Sequence, residues 1–91
     1  MAQKPKLNNK QKRILQAIFD LQTNIHWNDI ESLLQACGAD LKEGRGSRIR
    51  VKIFGAHAVF HRPHGKGDGG TDKGRVADVK NLLINVDIKP S

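Results

Sequence analysis

The sequence predicts an α+β fold: a two-layer sandwich in which a three-stranded antiparallel sheet carries helices on one face. Three observations predict it. Residues 48–53 read Arg, Ile, Arg, Val, Lys, Ile, the strict alternation of a half-buried strand. A second short run, Ala56–Arg62, follows after two residues and is stopped by Pro63. Segments before and after this pair repeat apolar residues at helical spacing. The predicted order is α-α-β-β-β-α, in a single domain over residues 9–90 behind a loose tail at residues 1–8.

The first helix is predicted over Lys10–Leu21, with Ile14, Leu15, Ile18 and Phe19 on one stripe and Asn8 or Asn9 as cap. Gln22-Thr23-Asn24 breaks the pattern. The second helix is predicted over Asp29–Cys37, where Ile30, Leu33, Leu34 and Cys37 share a face. Asn28 and Glu31 have capping-box spacing, Trp27 is expected to pack back on the helix, and Gly38 suits the left-handed residue after its end. A weak strand, Ala39–Glu43, leads into the turn Glu43-Gly44-Arg45-Gly46. That turn can offer backbone N–H groups to a phosphate, but it lacks the Lys-Ser/Thr ending of a nucleotide loop.

Phe54-Gly55 is read as a two-residue hairpin turn, which sets the register. Lys52 faces His57, Arg50 faces Val59, and Arg48 faces His61. One side of the hairpin then holds Ile49, Val51, Ile53, Ala56, Ala58 and Phe60. The other holds Arg48, Arg50, Lys52, His57, Val59 and His61. A Gly-rich loop spans His64–Asp72. The last helix is predicted over Lys73–Asn85, started by Thr71 or Asp72, with Ile88 tucked against the core.

Charge is distributed unevenly. The chain of 91 residues has a net charge of +7. Residues 42–66 carry seven basic side chains against one acidic, while the segments before and after are nearly balanced. Such a cluster is the footprint of a surface for phosphate backbones, although an acidic protein partner fits it too. No apolar stretch approaches a membrane span and no signal peptide is present, so a cytoplasmic protein is expected. The lone Cys37 lies in an apolar stripe and suggests a buried thiol.

The histidines give the face possible chemistry. His57 and His61 lie at even spacing on one strand and point the same way, and His64 follows just past Pro63. A neighbouring guanidinium favours the neutral form of an imidazole, and a neutral imidazole can take a proton from a hydroxyl. Arg and Lys side chains can bind a phosphodiester and the extra charge of its pentacoordinate state. In RNA the 2′-hydroxyl supplies the nucleophile, so no metal or other cofactor is expected. His61, His64 and Arg48 are the catalytic candidates; Arg45, Arg50, Lys52, His57, Arg62 and Lys66 are the RNA-binding candidates. His57 is equally a plain surface or binding residue. Phe60 points inward, so recognition is expected to rest on phosphate, ribose and shape, with weak sequence preference.

Several strings together resemble a known family. They are Ile25-His26-Trp27-Asn28-Asp29-Ile30-Glu31-Ser32-Leu33-Leu34, Gly38 through Arg48, Ala58-Val59-Phe60-His61-Arg62-Pro63-His64, Thr71-Asp72-Lys73-Gly74-Arg75-Val76 and Ile88-Lys89-Pro90. The chain resembles the HicA-like toxins of bacterial type II toxin–antitoxin pairs, most strongly a branch with an extra N-terminal helical segment. The resemblance implies a fold similar to the double-stranded RNA-binding domain (dsRBD-like). It implies an mRNA interferase, an endonuclease that blocks translation, and an antitoxin protein that covers the active face. In that family the catalytic histidine follows Gly-Ser; here Gly46-Ser47 is followed by Arg48. Two explanations stand. Nuclease activity is lost and RNA binding kept, or the base has moved to His61 across the hairpin, with His64 the second candidate.

Overall fold

The computed structural model describes residues 6–46, 48–61 and 71–90. Among them are three helices and a three-stranded antiparallel sheet, in the order α1 (Asn9–Phe19), α2 (Trp27–Ala36), β1 (Asp40–Glu43), β2 (Arg48–Ile53), β3 (Ala56–His61) and α3 (Lys73–Asn85). The α+β expectation holds. No described helix is long and apolar enough to cross a membrane.

The hairpin forms in the register that its alternation demands. Arg48 pairs with His61, Arg50 with Val59, Lys52 with His57 and Ile53 with Ala56. Phe54 and Gly55 have φ of 46° and 84°. Positive φ at both central residues marks a type I′ turn, whose twist matches the strands it joins. β1 adds to the other side of β2, giving the sheet order β1-β2-β3.

The apolar face of the sheet is buried beneath the helices. Ile49, Val51, Ile53 and Phe60 join Ile18, Ile30, Leu33, Leu34, Val76, Val79 and Leu83 in one core. Cys37 belongs to this core, and burial pushes its thiol pKa up to about 11. A thiol so placed is protonated and shielded at neutral pH.

Helix ends depart from the expected bounds. α1 starts one residue earlier, at Asn9, with Asn8 and Gln11 closing a reciprocal capping box at 2.8 and 3.0 Å. It stops at Phe19 rather than Leu21, because Leu21 turns left-handed at φ 57°. The N–H groups of Leu21 and Gln22 then return to the carbonyls of Ile18 and Ala17, which is a Schellman motif. α2 starts two residues earlier than expected, at Trp27, with His26 as its cap. The capping box expected from Asn28 and Glu31 is therefore not at the helix start, since Asn28 already lies inside the first turn. Trp27 is itself the first residue of α2 and joins the core with Ile30, Leu33 and Leu34. Its ring meets Phe60 of β3 edge-on, with centroids 5.7 Å apart, and this contact draws the first turn onto the sheet.

α2 and α3 end in the same motif as α1. Gly38 (φ 99°) and Asp87 (φ 61°) take the left-handed position. Ala39 and Ile88 then donate back to Leu34 and Leu83, each at 2.9 Å. Ile88 is buried by this return, as expected. Two further ties lock the helical layer. The Thr71 hydroxyl and backbone N–H both donate to the Ile25 carbonyl, at 2.9 and 2.8 Å. The Lys80 ammonium donates to the Phe19 carbonyl at 3.1 Å.

Candidate nucleic-acid interface

Strand alternation turns one set of side chains to the core and leaves the other on an open face. β2 is buried at Ile49, Val51 and Ile53 and exposed at Arg48, Arg50 and Lys52. Cross-strand pairing arranges the open face in rows. Asp40, Lys52 and His57 form the row nearest the hairpin tip. Lys42, Arg50 and Val59 form the middle row. Arg48 and His61 form the third, beside the β1–β2 turn that carries Arg45. Directly opposed side chains have Cβ atoms about 4.5–5.5 Å apart, so the Arg48 guanidinium and the His61 imidazole share one neighbourhood.

An open depression of about 490 Å³ lies on this face, lined among others by Asp40, Lys42, Arg50, Lys52, His57 and Val59. Four cations among the described residues, Lys42, Arg48, Arg50 and Lys52, share this sheet face with one carboxylate, Asp40. No three His, Cys, Asp or Glu side chains among the described residues converge as metal ligands.

The structure thus brings Arg48, Arg50, Lys52, His57 and His61 onto one surface, with Arg45 exposed at its end. His64, Arg62 and Lys66 lie outside the described residues. His57 and His61 do not form a pair. They are four residues apart on one strand, about 13 Å, too far to attack and protonate across one phosphodiester. His57 belongs with Lys52, and His61 with Arg48.

Sequence reasoning missed two participants. Lys42 completes the middle row beside Arg50 and Val59, and β1 pairing is what puts it there. The second is Arg75 in the first turn of α3. Its Nε donates to the His61 carbonyl at 2.5 Å. Its guanidinium also pairs with the Asp72 carboxylate, which accepts the Arg75 backbone N–H at 3.1 Å. Asp72 therefore caps α3 and aims the side chain that holds the end of β3. No local pattern announces this, because the His61 carbonyl arrives from a different element.

Partial burial raises the Asp72 pKa, but hydrogen bonds and charge from Arg75 outweigh it and leave the carboxyl below its ordinary value. The linkage sign follows. Stability from this carboxylate is present above the unfolded value, about pH 3.9, and is lost as pH falls through the lower folded value. Asp72→Asn keeps a capping oxygen and removes the charge. It is expected to flatten the acid limb of the stability curve and to leave the limb above pH 6 nearly parallel to wild type, as read by urea unfolding. An unchanged acid limb would remove this role.

Searches against known proteins found no matching family model, no matching curated protein and no matching solved structure.

Proposed function

We propose that this chain is an RNA-binding protein of a type II toxin–antitoxin system, HicA-like in family and dsRBD-like in fold. On this reading it cleaves mRNA on the open sheet face, and an antitoxin protein covers that face. One observation carries the reading. A cross-strand Arg48–His61 pair stands exposed beside three more cations, with Asp40 the one carboxylate among the described residues of that sheet face.

The chemistry suits RNA. The His61 imidazole takes the proton of a ribose 2′-hydroxyl. The 2′-oxygen bonds to phosphorus as the P–O5′ bond breaks, and the 5′-oxygen leaves with a proton from an acid or water. The Arg48 guanidinium offsets the extra negative charge of the pentacoordinate state. The products are a 2′,3′-cyclic phosphate and a 5′-hydroxyl, and no metal is needed. Arg45, Arg50, Lys52 and Lys42 hold the neighbouring phosphates.

A second reading has its own support. Arg48 occupies the position where the resembled family has its catalytic histidine, which favours an RNA-binding module without catalysis. Incubation with end-labelled RNA in a chelating buffer separates the readings. Cyclic-phosphate fragments support the nuclease. Intact RNA bound with a steep salt dependence supports the module. Five phosphate-binding cations, Lys42, Arg45, Arg48, Arg50 and Lys52, set a slope of log K on log salt of about −3.5 for single strands. Failure to bind at low salt overturns both and leaves an acidic protein as the partner of the face.

A further inference from the structure

Phe54 breaks a local rule. A type I′ turn favours Asn, Asp or Gly at its first central position, because φ is positive there and a bulky L residue is disfavoured. Here that position holds a phenylalanine at φ 46°. Its side chain is not drawn there by the core, for Phe54 is 54% exposed. The ring leans on Gly38, where an added Cβ would lie 3.6 Å from the phenyl Cζ.

Phe54 stands at the hairpin-tip end of the cationic face. It lies in the turn next to the row of Asp40, Lys52 and His57. Val59, also 54% exposed, supplies a second apolar station within the cations, opposite Arg50. Apolar groups set among phosphate-binding cations match a strand whose bases are available to stack. A double helix hides its base faces inside its own stack.

Resting on the RNA reading above, we infer that the face selects single-stranded RNA and that Phe54 stacks on an unpaired base at the hairpin tip. Phosphates then run along Lys52, Arg50 and Arg48 towards His61, and the stacked base sets where the strand enters. This gives the ligand a class, unpaired RNA, that the cations alone do not specify.

The test uses Phe54→Asn, Phe54→Ala and Phe54→Trp with a single-stranded oligonucleotide and a duplex of the same length. Phe54→Asn is expected to melt higher than wild type, because Asn suits the turn. It should bind the single strand at least about five-fold more weakly and the duplex within about two-fold of wild type. Phe54→Ala should show the same selective loss without the gain in melting temperature. Phe54→Trp should keep single-strand affinity, and its emission beyond that of Trp27 should be quenched by the oligonucleotide. A folded Phe54→Asn variant that binds the single strand as wild type does, or loses both ligands equally, overturns the inference and leaves the RNA reading standing. A wild-type protein that binds neither ligand overturns the RNA reading itself.

Discussion

On the proposed nuclease reading, His61→Ala is expected to slow metal-free RNA cleavage by about 100- to 10,000-fold, the usual contribution of a positioned acid or base. RNA affinity should change little, because Arg48, Arg50, Lys52 and Lys42 remain. Rates are read under single-turnover conditions with saturating protein, so that binding does not enter. The cross-strand geometry supplies a sharper control. Exchanging the pair, Arg48→His with His61→Arg, returns an imidazole to the same neighbourhood from the other strand. That double variant is expected to recover a substantial part of the activity lost by His61→Ala. Activity unchanged in His61→Ala would remove His61 from the mechanism.

Ile30→Ala is expected to remove a large share of the protein's stability. Ile30 is fully buried in the first half of α2, within the core shared by helices and sheet. Truncating such a side chain costs about 2–5 kcal/mol through lost transfer energy and the cavity left behind. A domain of this size has roughly 5–14 kcal/mol in all, so much of the margin goes with one side chain. The melting temperature should fall by at least about 8 °C. Gln35→Ala, on the exposed side of the same helix, should stay within about 0.5 kcal/mol of wild type. A shift of less than about 2 °C for Ile30→Ala would contradict its place in the core.

Legibility in the sequence followed the kind of constraint involved. The hairpin was readable because alternation of period two and a two-residue turn leave one register that buries Ile49, Val51, Ile53 and Phe60 together. The bounds of α3 were readable for a similar reason, with Asp72 at one end and Val76, Val79, Leu82 and Leu83 on one stripe. Helix ends were readable only where a residue type announces them. Gly38 did, whereas Leu21 and Asp87 take the same left-handed position without any such signal. At the start of α2 the tertiary contact of Trp27 with Phe60 prevailed over the local capping pattern of Asn28 and Glu31. Within the site, the positions on β2 and β3 were legible from the alternation. Lys42 required β1 pairing, and Arg75 required the docking of α3 on the end of β3. Phe54 was read only as a turn residue; its exposure marks it as something more.

Among the described residues, the sheet order leaves β1 and β3 each with a strand neighbour on one side. β1 guards its edge by being short and carrying Asp40, Lys42 and Glu43. β3 has no Lys, Arg, Asp or Glu in its six residues, and Arg75 occupies only the carbonyl at its end. Among the described residues, colloidal repulsion from a net charge of +7 is then what guards this edge against joining that of another chain. That guard weakens as salt rises, since the screening length shrinks to about 10 Å at 0.1 M. It vanishes when a polyanion neutralises the surface. Among the described residues β3 is thus the less guarded edge, and its protection depends on counterions as much as on the fold.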